Sequence, residues 1–134
     1  MSQSTFQTGD ILNFEAGEAL PKYRLLKQSG GTVVFADAAD GPDLIGVVSE
    51  THKAVASGAQ VGVRMWNGPG TKLVETTAAA VAVGDLLKCA NDGKVVKVGT
   101  TTTEGVIGRA KSACDSSGGV IEVVPFVYHV RDLS

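Results

Sequence analysis

Two stretches of the chain share one pattern, which is Leu-Leu-Lys, a gap that contains glycine, and Val-Val. LLKQSGGTVVFAD begins at Leu25, and LLKCANDGKVVKV begins at Leu86. In the same order along the chain, DLIGVV matches GVIGRA and SGAQVGV matches SGGVIEV, at an offset of about 61 residues. Collinear blocks at one offset indicate an internal duplication in which each copy is one structural unit. We predict that this pseudo-repeat covers about 23–65 and 84–125.

Each copy has the pattern of short β-strands. Leu-Leu-Lys and Val-Val are separated by a gap that contains glycine, and the gap Asn91–Gly93 predicts a tight hairpin turn. In QVGVRMW, Val61, Val63 and Met65 share one face and Trp66 belongs to the other, a period of two that is typical of a half-buried strand. We therefore predict an all-β fold with about four strands in each half and little helix, closed into a compact barrel or sandwich.

The ends of the chain lie outside the repeat. We predict a flexible N-terminal arm over residues 1–8 and a single β domain over residues 9–134, since 134 residues fit one domain. The segment PFVYHVRDLS, which begins at Pro125, is too apolar for a free tail and is expected to pack on the domain or on a neighbouring copy. The alanine-rich stretch ETTAAAVAV, from Glu75 to Val83, is short and is expected to form a helical turn or an irregular link.

Composition narrows the possible partners. The net charge is -2 and no two lysine or arginine residues are adjacent, which argues against a nucleic-acid-binding surface. The longest apolar run, AAAVAV, is too short to cross a membrane, and the N-terminus lacks the pattern of a signal peptide. We expect a soluble protein made in the cytoplasm, without direct nucleic-acid or membrane partners.

The reactive side chains form no recognisable catalytic pattern. Cys89 and Cys114 are expected to be small apolar residues, and the Glu50–His52 pair has no nucleophile at a telling spacing. His129 is expected to be a packing or surface residue. We therefore predict no catalytic residue, no metal and no cofactor, and a hydrolase that uses a cysteine and a histidine is the weakest hypothesis.

A few other residues are candidates for binding. Asp37, Asp40 and Asp43 lie in one loop, but their spacing does not match a calcium-binding loop and favours a solvated acidic loop. Lys22 and Arg24 are expected to share a strand face, which is solvated or, as the functional alternative, meets an acidic protein partner. The only tryptophan, Trp66, either caps the core or anchors an interface, where tryptophan is enriched.

Several blocks resemble one protein family. TGDILNFEAGEAL, IGVVSETHKAVASGAQVGVRMWNG, AVAVGDLLKCANDGKVVKV and EGVIGRA with GGVIEVVP resemble the capsid cement, or decoration, proteins of tailed bacteriophages over about residues 8–125. The resemblance implies a structural protein without enzymatic activity. It further implies a homotrimer on the outer surface of the virion head that contacts and stabilises the major capsid protein subunits.

The resemblance and the position of the residues predict two sets of contacts. The capsid-binding set consists of the N-terminal arm and the basic pair: Ser2, Gln3, Ser4, Thr5, Phe6, Gln7, Thr8, Lys22 and Arg24. The set at the interface between copies consists of Trp66, Phe126 and Tyr128. The alternative function is a β-barrel module on the virion that binds carbohydrate or a host surface through Trp66 and the acidic loop. An aromatic share of only 5% argues against that alternative.

Overall fold

The computed structural model describes residues 11–50, 55–99 and 104–131. These residues form β-strands and two short 3-10 helices, Gly41–Asp43 and Asn91–Gly93. The strands are β1 (Ile11–Ala16), β2 (Leu25–Ser29), β3 (Thr32–Phe35), β4 (Leu44–Val48), β5 (Gln60–Met65), β6 (Lys72–Glu75), β7 (Leu86–Ala90), β8 (Lys94–Lys97), β9 (Glu104–Ala110) and β10 (Val120–Arg131). The predicted all-β fold is confirmed. Within the described segments, no helix has the length and apolar character needed to span a membrane.

The strands form a closed barrel and a second sheet. The barrel has the strand order β1-β3-β2-β4-β5, and the five-stranded sheet has the order β6-β10-β9-β7-β8. All strand pairs are antiparallel except that β1 pairs with β3 in parallel. The barrel is therefore built from the first half of the chain and the sheet from the second half.

The two halves repeat the same pairing pattern. The hairpin β2–β3 corresponds to β7–β8, and the pairs β2–β4 and β4–β5 correspond to β7–β9 and β9–β10. The register is also equivalent, because Leu26 lies opposite Gly46 and Leu87 lies opposite Gly108. At both glycines an added Cβ would lie within 2.8 Å of a valine Cγ1 on the next strand. A duplicated chain would have this equivalence, and the duplication itself stays a prediction.

The buried side chains form two apolar clusters. One fills the barrel and contains Val61 and Val63 from one face of β5, with Met65 packed against it. The other lies between the barrel and the five-stranded sheet. It contains Trp66, whose side chain points away from the interior of the barrel. The predicted alternation along β5 therefore separates the interior of the barrel from the cluster that joins the two sheets.

Polar contacts also join the barrel to the five-stranded sheet. The guanidinium of Arg24 donates hydrogen bonds to the backbone oxygen of Asp92 (2.9 Å) and to Glu75 Oε2 (3.2 Å), and its charge lies 5.5 Å from the ring centroid of Phe35. The backbone N–H of Gly93 donates to the oxygen of Ala36 (3.1 Å). These bonds attach the second hairpin turn to the barrel.

Lys72, the first residue of β6, is fully buried although it carries a charge. Its ammonium group donates to the backbone oxygens of Gly68 (3.2 Å), Pro69 (3.1 Å) and Gly70 (3.3 Å). A buried ammonium ion is tolerated only when acceptors replace its water. Lys72 thus fixes the turn between β5 and β6.

The C-terminal segment packs on its own chain as the second half of β10. It pairs with β9 up to Pro125 and again from His129, and the register shifts between these two residues. In the shifted part, the ring of Tyr128 lies so close to Gly41 and Gly105 that a Cβ at either glycine would overlap it. Of the stretch expected to form a helical turn or an irregular link, Glu75 belongs to β6 and Thr76 and Val81 form isolated bridges, while Thr77 to Ala80 form an irregular link.

We expect Lys72→Met to destabilise the protein by about 1–3 kcal/mol, because the carbonyl groups of the turn lose a charged hydrogen-bond donor. Urea unfolding followed by circular dichroism measures the change. Lys97→Met, on the exposed side of β8, is the matched control and should leave the midpoint nearly unchanged. Equal shifts for the two variants would show that the bonds of Lys72 contribute nothing.

Gly105→Ala should destabilise the protein by about 1–3 kcal/mol, because the added methyl group displaces the Tyr128 ring. Gly31→Ala is the control, since a Cβ there meets no atom within 4 Å. The effect should shrink in a Tyr128→Ala background, as expected for residues in direct contact. Chemical denaturation of the unchanged protein, Gly105→Ala, Tyr128→Ala and the double variant measures this coupling. Additive changes in the free energy of unfolding would contradict the contact.

Candidate interaction surface

Among the residues that the structure describes, Cys89, Cys114 and His129 do not assemble into a catalytic group. Cys89 on β7 is buried, and burial, assisted by the charge of Asp40, raises the pKa of its thiol to about 12. A thiol with this pKa is protonated at neutral pH and is a poor nucleophile. Cys114 is half-buried and His129 is exposed, whereas His52 lies outside the described residues. Across the described ranges, no group of three histidine, cysteine or acidic side chains could hold a metal ion.

The acidic loop binds donors of its own chain. Asp40 accepts a hydrogen bond from the backbone N–H of Asp37 (2.8 Å) and forms an ion pair with Lys27 (3.0 Å). These two interactions, the backbone bond first, lower the pKa of Asp40. Asp37 in turn accepts a bond from the backbone N–H of Asp92 (2.9 Å). The loop is therefore an ordered connection to the second hairpin, and Asp37 and Asp43 are exposed in it, as expected for a solvated acidic loop.

The residues predicted to bind the capsid are only partly described. Residues 2–8 lie outside the described residues. The shared strand face predicted for Lys22 and Arg24 is wrong, because Lys22 and Tyr23 form a turn in which Tyr23 has a φ of 66°. Lys22 is half-buried, and the guanidinium of Arg24 donates its hydrogen bonds to Glu75 and to the backbone of Asp92, between the barrel and the five-stranded sheet.

The three residues predicted at the interface between copies meet in one apolar groove. The groove has a volume of about 640 Å³ and lies between the start of β4 and the end of β5 on one side and the shifted part of β10 on the other. Trp66, Phe126 and Tyr128 all line it, together with Ile45, Met65 and Val127. The sequence prediction thus selected residues that the fold brings together, and whether copies of the chain meet there stays a prediction.

Trp66 forms the inner wall of the groove. Its side chain is 6% exposed, and the indole N–H donates to the backbone oxygens of Ile107 (3.0 Å) and Phe126 (3.2 Å). Two acceptors from β9 and β10 thus satisfy the polar edge of a side chain that starts at the end of β5. A ring in this position cannot offer its face to a sugar, so the carbohydrate-binding hypothesis loses the aromatic residue on which it rested.

The outer rim of the groove is the free side of β10. Among the described residues, β6 pairs with β10 only from Val120 to Val123, so the following residues have no paired strand on that side. Val127 is 83% exposed and Val130 is 59% exposed on this segment. An exposed strand edge with apolar side chains is a surface that another chain can cover.

The part of the groove that β4 forms was not predicted from the sequence. Leu44 and Ile45 line it because the 3-10 helix Gly41–Asp43 brings the start of β4 next to Tyr128. The available signals were Pro42, which interrupts strand pairing, and Pro125, which precedes the register shift. Neither signal tells which distant segments meet.

Comparisons with known proteins agree with this architecture. The head fiber N base of bacteriophage phi29 is a solved structure with a TM-score of 0.60 and 23% sequence identity, covering 87% of this chain and 93% of that chain. At this identity the likeness shows the fold. A search of curated proteins finds no match. A family model described as phage cement protein matches residues 6–125. The chain therefore belongs to the phage cement protein family.

Proposed function

We propose that this protein binds the outer surface of a phage head and stabilises the contacts between major capsid protein subunits. The family match over residues 6–125 is the observation that carries the proposal. The phi29 head fiber base with the same fold lends support, since its name places it on a phage head. The protein would then act as a rigid connector without enzymatic activity.

The proposed assembly is a homotrimer. A trimer that touches several capsid subunits binds multivalently, so that each weak contact forms at a high effective concentration once the first has formed. Closed three-fold symmetry also limits assembly to a defined particle and prevents filaments. The exposed valines Val127 and Val130 support a contact between copies, because their apolar surface would be covered there.

The proposed capsid contacts involve the N-terminal arm and Lys22. An arm rich in serine, threonine and glutamine suits an extended segment that becomes ordered by backbone pairing with a partner. Arg24 is a weaker candidate, because its guanidinium already binds Glu75 and the Asp92 carbonyl. Lys22 can contribute charge at the surface without loss of these internal bonds.

Purified protein should co-sediment with heads of its own phage that lack it, and the decorated heads should retain their DNA to a higher temperature than bare heads. Deletion of residues 2–8 should reduce the amount bound, whereas Lys97→Glu at an exposed position of β8 should not. Light scattering after size exclusion should give three times the mass of one chain. Failure to sediment with these heads would contradict the proposed function, and binding without DNA retention would contradict the stabilising role.

A further inference from the structure

Three apolar side chains are exposed on the outer face of the five-stranded sheet. Leu73 of β6 is 38% exposed, and Val120 and Val124 of β10 are 43% and 39% exposed. Alternate residues of a strand share a face, so both valines lie on the same side of the sheet as Glu122, which is directly opposite Leu73. The three side chains therefore form one patch around Glu122, and we call it the outer patch.

Two cations flank the outer patch. Arg109 of β9 lies opposite Val124, is exposed, and donates a hydrogen bond to the backbone oxygen of Gly84 (2.8 Å). Lys111 pairs with Glu122 (3.3 Å), while its own side chain stays 58% exposed. The carboxylate at the centre of the outer patch is therefore neutralised within the chain, and the charge of Arg109 remains available to a partner.

The next row of the same face also carries more cations than carboxylates. Glu75 lies opposite Val120 and forms ion pairs with both Arg24 (3.2 Å) and Lys94 (3.4 Å). Together with the charges beside the outer patch, this gives four cations and two carboxylates, on a chain whose net charge is -2. The face thus combines exposed apolar side chains with an excess of positive charge, which complements an acidic surface.

The barrel has a corresponding face that is already covered by protein. A row of three paired residues crosses the middle strands in each half, and the two rows are Leu25, Val47 and Arg64 in the barrel and Leu86, Arg109 and Val124 in the sheet. Leu25 and Val47 are buried against the second half of the chain, whereas Leu86 is half-buried and Arg109 is exposed. Because Arg109 stands where the barrel has Val47, a partner that covers the sheet has to supply a negative charge.

We propose, on the basis of the function proposed above, that the outer patch with Arg109 and Lys111 binds an acidic surface of the major capsid protein that also carries apolar side chains. An apolar centre with a polar rim is the usual arrangement of a protein interface. Complementary charge selects the partner and speeds association. A nucleic acid is a poorer match, because its phosphate groups would leave the three apolar side chains uncovered.

Charge reversal on this face tests the proposal with heads of the protein's own phage that lack it. Arg109→Glu should weaken co-sedimentation by about tenfold or more and reduce its dependence on salt, because an attractive charge becomes a repulsive one. Lys97→Glu makes the same change of charge at an exposed position of β8 and should bind like the unchanged protein. Val124→Ser should weaken binding with the salt dependence unchanged. Urea unfolding midpoints close to that of the unchanged protein show that the variants are folded.

A zero-length carbodiimide crosslink identifies the partner, because this reagent joins an amine to a carboxylate that touches it. On decorated heads, Lys111 should be linked to an aspartate or glutamate of the major capsid protein, besides its internal link to Glu122. Links from Lys111 to another copy of this chain, without any to the major capsid protein, would assign the face to the contact between copies and overturn the proposal.

Two results of the binding experiment separate this proposal from the proposed function. If Arg109→Glu and Val124→Ser both bind heads as well as the unchanged protein does, the outer patch is not the contact surface, although the proposed function stands. Heads that fail to bind even the unchanged protein would contradict both. Binding of short duplex DNA that Arg109→Glu abolishes, with head binding unaffected, would assign the face to a nucleic acid and would also overturn the proposal.

Discussion

The apolar cluster buried between the barrel and the five-stranded sheet is the constraint on which the rest of the structure depends. Leu25 and Val47 reach it from the barrel, and Leu87 and Ile107 reach it from the sheet. Each fully buried side chain of this size contributes roughly 1.5–3 kcal/mol, so the two halves cannot separate without a large loss of stability. The same burial holds the strand ends in place around the groove. A protein that joins two halves in this way suits a role that requires stiffness.

The polar contacts at this boundary explain how a chain with few aromatic residues closes its core. Trp66 satisfies its indole N–H with carbonyl groups from β9 and β10, and Arg24 binds the second hairpin turn from the start of β2. Tyr128 packs where Gly41 and Gly105 leave space for its ring. These few large side chains each contact both halves, while small aliphatic residues fill the remaining core.

The features that depend on local sequence could be predicted, and those that depend on distant pairing could not. The hairpins and the equivalent Ile-Gly positions follow from turn residues and from the repeat, and the structure has both. β1 and β6 lie outside the repeat, so their pairing could not be predicted from it. The parallel β1–β3 pair also lacks a tight connecting turn that the sequence could reveal. The pattern around Trp66 fitted the core and an interface equally well, because the acceptors of its N–H lie far along the chain. The prediction that Lys22 and Arg24 share a strand face was wrong because an alternating charge pattern does not reveal the left-handed backbone at Tyr23.

The proposed role joins these features, since a stiff two-part domain can carry load between capsid subunits and its exposed valines can meet a neighbouring copy. A cryo-electron microscopy map of the native phage head tests this account most directly. The account predicts density for the barrel and the five-stranded sheet on the outer surface, in groups of three that each span a boundary between major capsid protein subunits. Density for the protein only inside the head, only at the tail, or centred on single subunits without bridging a boundary would contradict it.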